Sequence, residues 1–368
     1  MLRRTDGGTD GPATAHRDAD SQERTPDDAG DSPDTMRAAV VPDADSDIEI
    51  RDVPVPTPGR GEVRVAVAAC GVCRGDDVAV DGSPAVDYPR VPGHEYVGTV
   101  DAVGADVAAW SVGDRVGVGW HGGHCHACEA CRRGNFVHCT DSPITGIHRD
   151  GGYAEYALAS TTALANVPRE LDAVDVAPLL CAGLTTFNAL RHADARLGDR
   201  VAVVGIGGLG HLAIQYAHEA GFETIAVSSG TEKREDALAL GADDYVDSTA
   251  TDPGRALQER GGVDLVLNTA PDADVAAAVL DGLAPDADCC NVGVPDDRVP
   301  IDVGRLTNAR ASVSGFAAGT PTDAEDALAF GARRDVTPTV ERYALADAQD
   351  AYDAMTATDV RYRAVLEP

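Results

Sequence analysis

The chain has 368 residues, with 30 Lys+Arg against 61 Asp+Glu and a formal net charge of −31. That length suits two domains of about 150 residues each, and a chain so negative repels phosphate backbones and anionic bilayers, which excludes nonspecific nucleic-acid or membrane-surface binding as an expectation. Lys233 is the one lysine, and Asp far outnumbers Glu. Acid excess with so little lysine suits molar salt, where the Debye length falls to about 3 Å. The composition therefore predicts a halophilic protein, the alternative being an ordinary acidic one. No apolar run approaches the roughly 18 residues of a membrane span. Arg3 and Arg4 are followed by Thr5, Asp6, Gly7 and Gly8 and not by an apolar core, so neither a secretory nor a twin-arginine signal is expected and the cytoplasm is the expected location.

Residues 1–35 are rich in Asp, Gly, Thr and Pro and hold hardly an aliphatic side chain, so a disordered acidic tail is expected there. Met36–Val41 is a short apolar run and Glu62–Val67 alternates with period two, and both read as strands. Strand-like pieces broken by Gly and Pro continue to about Val167. Beyond residue 171 strands alternate with helices. Val201–Val204, Thr224–Val227, Tyr245–Val246, Val263–Leu267 and Cys289–Val292 read as strands. Helical spacing runs from Leu209 to Ala220 and covers Glu232–Leu240, Thr322–Ala332 and Ala346–Met355, with a last strand at Tyr362–Leu366. Such alternation implies a parallel sheet covered on both faces.

Gly205, Ile206, Gly207, Gly208, Leu209 and Gly210 follow a strand and open a helix. A tight turn, a close backbone approach to a pyrophosphate and close helix–strand packing each call for glycine, and the helix start offers free N–H groups to the anion. The ribose-reading position at the end of the next strand is Ser228, not an acid. Ser228, Ser229 and the nearby Lys233 and Arg234 lean toward NADP over NAD, because an acid there would repel a 2′-phosphate. A solvated helix start is the plainer reading of the two cations.

Cysteine usage points to metal. Cys125, Cys128, Cys131 and Cys139 place four thiols in one Gly-containing lobe, which matches a closed tetrahedral zinc site, with an iron–sulfur cluster as the alternative. A second, dispersed set is Cys73, His94 and Cys181, with Asp76 able to orient the imidazole. Two thiolates and one imidazole leave a fourth zinc position open for water or substrate. Cys70 and Cys73 also read as a CxxC redox pair. Cys289 and Cys290 read as buried strand thiols.

Together, Cys70-Gly-Val-Cys-Arg-Gly-Asp76, Gly93-His-Glu95, Gly113-Asp-Arg-Val116, the four-cysteine lobe, the Cys181 segment and the glycine turn resemble the zinc-dependent medium-chain alcohol dehydrogenase family, in its order and over residues 36–368. The resemblance implies a Rossmann doubly wound parallel sheet, 181–316, inserted in a β-rich GroES-like catalytic domain, 36–180 plus 317–368. It carries over Cys73, His94 and Cys181 as ligands of a catalytic zinc, Glu95 as an acid that can approach that metal, and the four lobe cysteines as ligands of a structural zinc. Arg74 and Arg363 match pyrophosphate contacts, and Thr185 a position near the nicotinamide. Where many members carry Thr or Ser for proton transfer, this chain has Gly75, and Val78 stands where a histidine often follows. His121 and His148 are the candidate replacements, or bulk water serves. The implied activity is reversible hydride transfer between an alcohol and NAD(P), with polyol, sugar or threonine oxidation and a nonenzymatic zinc and dinucleotide-binding protein as alternatives. A small-molecule alcohol or aldehyde partner and a homodimer or homotetramer are expected.

Overall fold

The computed structural model describes residues 33–368 except 84 and 296. The acidic tail expected over 1–35 lies outside them but for its last three residues, and Thr35 already begins a strand. Strand β1 (Thr35–Val40) pairs antiparallel with β2 (Glu49–Pro54). A seven-stranded sheet follows. It holds β3 (Glu62–Val72), β4 (Tyr96–Val103), β5 (Arg115–Val118), β6 (Tyr156–Ser160), β7 (Leu164–Asn166), and, from the far end of the chain, β14 (Val340–Ala344) and β15 (Arg363–Glu367). Its order is β14-β15-β3-β4-β5-β7, with β6 also on β3.

Between these pieces the chain builds six parallel strands: β8 (Arg200–Val204), β9 (Glu223–Ser228), β10 (Asp244–Asp247), β11 (Val263–Asn268), β12 (Leu283–Asn291) and β13 (Ser312–Gly315). Their order is β10-β9-β8-β11-β12-β13. This is the doubly wound dinucleotide-binding order, and the chain reverses direction across the sheet beside β8. Consecutive residues of β8 show why its sequence is apolar without interruption. Val201 and Val203 enter one core with Leu265 and Leu267, whereas Ala202 and Val204 enter another with Val266 and Cys289. Side chains alternate along a strand, so a sheet covered on both faces buries both sets.

The first of those cores also takes in Ala69, Val97 and Val365 from the antiparallel sheet, which ties the two sheets together. Leu180 and the helix Ala182–His192 lie within it. Among the described residues no single helix is long and apolar enough to cross a membrane; the apolar segments 173–180 and 182–192 meet at a 51° bend, and most of their side chains are buried in this core.

Three strands carried no clear pattern in the sequence. β2, β13 and β14 are mostly exposed or half-buried. Edge strands need no alternating apolar face, so the chain signals them poorly. β12 starts six residues before the apolar pair at 289–290, through the exposed Pro285 and Asp286. At the centre of the parallel sheet, Leu267 is wholly buried. Leu267→Ala should destabilise the protein by about 2–5 kcal/mol, read as a lower midpoint in denaturant unfolding.

Candidate active site and dinucleotide turn

Strand pairing assembles the site. β15 runs antiparallel to β3, with Ala364 opposite Val72, and β4 runs antiparallel to β3, with Tyr96 opposite Cys70. The ends of three neighbouring strands therefore converge, and with them Cys73 just past β3, His94 and Glu95 just before β4, and Arg363 at the start of β15. Cys181 arrives at the start of the helix Ala182–His192. The ligand atoms of Cys73, His94, Glu95 and Cys181 lie within 4.8 Å of one another.

Asp76 organises this cluster. Its Oδ1 accepts from Gly93 N (3.2 Å) and faces His94 Nδ1 (2.9 Å), and its Oδ2 accepts from Cys73 N (3.0 Å) and Tyr153 Oη (2.8 Å). Each oxygen thus takes two partners, which fills its lone pairs. A carboxylate only accepts, so His94 carries a proton on Nδ1 and directs Nε2 to the cluster. That Nε2 is buried and makes no hydrogen bond among the described residues. Burial disfavours the His94 imidazolium, but the charges of Asp76 and Cys73 raise its proton affinity above the ordinary value. The Cys181 thiol, together with the His94 charge, favours the thiolate at Cys73 against burial. Tyr153 is a member of this hydrogen-bonded cluster that the sequence pattern did not reveal, because nothing local distinguishes it from a core tyrosine.

Gly75 has a steric reason. A Cβ there would stand 2.8 Å from both His94 Cε1 and Trp120 Cζ3. The Trp120 ring instead meets the His94 ring edge-on, with centroids 4.8 Å apart. The next residue, His121, is committed elsewhere: Nε2 lies 3.0 Å from His124 Nδ1 and Nδ1 lies 3.3 Å from Ser142 Oγ. Burial pushes its pKa down to about 4. His148 Nδ1 accepts from Ile144 N (2.8 Å) within its own turn.

Glu95 and Arg363 form a buried ion pair. Gly71 leaves room for it, since a Cβ there would overlap Glu95 Oε2. Burial raises the Glu95 pKa, and the Arg363 guanidinium draws it back toward the carboxylate. The same guanidinium reaches the glycine turn: a Cβ on Gly208 would lie 2.9 Å from Arg363 Nη1.

In that turn Gly205 has φ +86° and Gly210 lies so close to Gly205 O that no side chain fits, whereas a Cβ on Gly207 would meet open space. The helix that follows, Gly210–Glu219, has no side-chain cap, and the N–H groups of His211, Leu212 and Ala213 bond back to Gly207 O and Leu209 O. Ser228 ends β9, mostly buried, and Ser229 is exposed. Lys233 reaches from the following loop back to the turn, donating to Ile206 O (2.8 Å). Thr185 is buried in the helix behind Cys181. Arg74 is exposed, with Asp77 at 3.6 Å.

The second cluster is Cys125, Cys128, Cys131 and Cys139, whose sulfurs also lie within 4.8 Å of one another. Backbone N–H groups point at these sulfurs from Ala127, Cys128, Cys131 and Asp141 at 3.3–3.5 Å. They favour thiolate and bring Cys128 down to about 6.

Comparison with known proteins agrees with this geometry. Residues 59–169 match the alcohol dehydrogenase GroES-like domain and residues 208–333 the zinc-binding dehydrogenase family. The chain is 41% identical over 302 residues to the alcohol dehydrogenase notN of Aspergillus sp. (strain MF297-2), covering 82% of this chain and 89% of that one. It is 38% identical over 338 residues to the alcohol dehydrogenase patD of Penicillium expansum, covering 92% and 99%. The solved structure of CAD from Helicobacter pylori complexed with NADP(H) superposes with a TM-score of 0.80 at 25% identity, covering 90% and 98%. The fold and its clusters define a zinc-binding, dinucleotide-dependent oxidoreductase. The chain belongs to the zinc-dependent medium-chain alcohol dehydrogenase family.

His211, on the helix after the turn, is fully buried and neutral. Its Nδ1–H donates to Gly207 O (3.0 Å) and its Nε2 accepts from Thr339 N (3.3 Å). Burial pushes its pKa down to about 3. The unfolded chain therefore takes up a proton, below the ordinary histidine range near 6.5, that the folded chain refuses. Stability from this residue is full above about pH 6.5 and is lost as pH falls toward 3, by about 1.4 kcal/mol per unit. The melting temperature should fall between pH 7 and 5, and His211→Gln should flatten that slope.

Proposed function

We propose that Cys73, His94 and Cys181 hold a catalytic zinc, that the four lobe cysteines hold a structural zinc, and that the glycine turn binds NADP in preference to NAD. The observation that carries this reading is Arg363: one guanidinium touches both Glu95, in the first cluster, and the turn at Gly208. A metal cluster and a dinucleotide turn joined by one side chain suit hydride transfer at a substrate held between them.

The donor sets fit zinc. Two sulfurs and one imidazole nitrogen leave one tetrahedral position open, whereas four sulfurs leave none. Ligands of one zinc at about 2.0–2.3 Å stand roughly 3.3–3.8 Å apart, within the reach of both clusters. Zinc supplies a Lewis acid for an alcohol or carbonyl oxygen and lowers the hydroxyl pKa, and the nicotinamide carries the hydride.

The protein's own groups do the rest. Asp76 fixes the tautomer and direction of His94. Trp120 packs against His94 on the side where Gly75 carries no hydroxyl and gives the substrate an apolar wall. With no hydroxyl at 75 and both ring nitrogens of His121 engaged, the alcohol proton leaves through water. Glu95 is held by Arg363, so Cys181 and not the carboxylate completes the ligand set; this favours simple alcohols and aldehydes over polyols. For the cofactor, Ser228 lacks the charge that would repel a 2′-phosphate, and Lys233 stands between that position and the turn. We further infer that the acid-rich composition suits concentrated salt, where like charges are screened.

Purified protein should contain two zinc equivalents per chain, one for each cluster. Cys73→Ala should lose one equivalent and turnover together, whereas Cys131→Ala should lose the other and lower the melting temperature. With alcohols or aldehydes as substrates, kcat/KM for NADP should exceed that for NAD; an NAD preference of about tenfold (about 1.4 kcal/mol) would overturn the reading of Ser228.

Raising NaCl from about 0.1 to 1 M shortens the Debye length from about 10 to 3 Å. The melting temperature should rise over that range, and a fall would count against adaptation to salt.

A further inference from the structure

Just before β15 the backbone makes a tight three-residue turn. Tyr362 has φ 71° although it is not glycine, and Arg363 N bonds back to Arg361 O (3.1 Å) across it. A γ-turn with positive φ is strained, and such a conformation persists only where its surroundings over-determine it. Here they do. The Tyr362 ring stacks on the His211 ring, with centroids 4.6 Å apart and planes 3° from parallel. Tyr362 Oη donates to Asp236 Oδ2 (3.1 Å), and Arg361 Nη2 to Asp236 Oδ1 (2.8 Å). Arg361 N bonds Glu341 Oε1 (2.6 Å).

Both anchors belong to the dinucleotide side. His211 is bonded through Nδ1 to Gly207 O, inside the glycine turn. Asp236 sits on the helix Arg234–Ala239, directly after Lys233. One turn along from His211, Gln215 clasps the backbone of Thr337 with both ends of its amide, at 3.0 and 3.1 Å. The next residue after Tyr362 is Arg363, whose guanidinium stands at Gly208 and Glu95. Neighbouring side chains of one strained turn therefore hold opposite sides of the same junction.

We propose that Tyr362 is a positioning residue for the dinucleotide: stacked on His211 and bonded to Asp236, it keeps the glycine turn in register with Arg363. The proposal rests on the reading that this turn binds NAD(P). It requires no contact between Tyr362 and the cofactor. The strap makes the pyrophosphate-binding N–H groups and the guanidinium approach one another in a preset geometry, so the cofactor meets a formed site.

The test is direct binding of NADP and NAD to the purified, zinc-loaded protein by calorimetry, with steady-state kinetics beside it. Tyr362→Gly tolerates the positive φ but removes the ring, so it separates the stack from the strain. It should weaken cofactor binding about tenfold, with the loss falling on the cofactor KM more than on kcat. Tyr362→Phe keeps the stack but loses the Asp236 bond, and should restore part of the affinity. If wild type binds the dinucleotide and Tyr362→Gly binds it within about twofold, the strap proposal falls alone. If wild type binds neither dinucleotide, the reading of the turn falls and takes the strap with it. Should Tyr362→Gly fail to fold, Asp236→Ala decides: it cuts the anchor of both Tyr362 and Arg361, and unchanged cofactor affinity overturns the proposal.

Discussion

A buried guanidinium is the constraint on which this architecture turns. Arg363 is 4% exposed and its partner Glu95 is wholly buried. Burying either charge alone would cost several kcal/mol, so neither residue is tolerable without the other. The pair demands that β15, from the end of the chain, lie beside β3 and β4 from its beginning. That demand also leaves the guanidinium against Gly208. Arg363 thus stands between the glycine turn and the cluster of Cys73, His94 and Cys181, paired with Glu95.

Around that pair, small residues make room for large ones. Gly71 admits Glu95, Gly208 admits Arg363, and Gly75 admits Trp120. Each glycine is intelligible only from what lies across from it. The Gly75–Trp120 contact has chemical meaning, since the space against His94 is filled by an indole and not by a hydroxyl-bearing side chain. Asp76 sits beneath with all four lone-pair directions used, so the imidazole direction is set by the fold and not by whatever occupies the site. Groups held this way need little reorganisation when a ligand arrives.

Charge is divided along similar lines. Many arginines are spent in surface pairs with Asp or Glu, such as Arg191 with Asp326 and Arg255 with Glu259. Exposed pairs of this kind contribute little individually. Arg363 and Lys233 differ in that their partners are a buried acid and a backbone carbonyl within the glycine turn. In a chain with a net charge of −31, those two cations beside the turn are what the proposed binding of an anionic dinucleotide relies on.

Much was legible in the chain itself. Spacing alone marked the four-cysteine lobe, the glycine turn and the apolar strands of the parallel sheet, because ligand geometry, tight turns and two-sided burial each constrain consecutive or regularly spaced residues. Edge strands β2, β13 and β14 escaped, since a half-exposed strand has no such constraint. His121, a candidate for the proton path by residue type, has its ring nitrogens at His124 and Ser142, partners that its type alone does not reveal. Tyr153 on Asp76, Trp120 over Gly75, and Tyr362 on His211 join residues 45 to 151 positions apart in the numbering. The sequence by itself determined which chemistry the chain can carry, for residue types and short spacings specify ligands and turns. Only the tertiary structure decided how that chemistry is held, because contacts across strand ends depend on register and packing that no local pattern encodes.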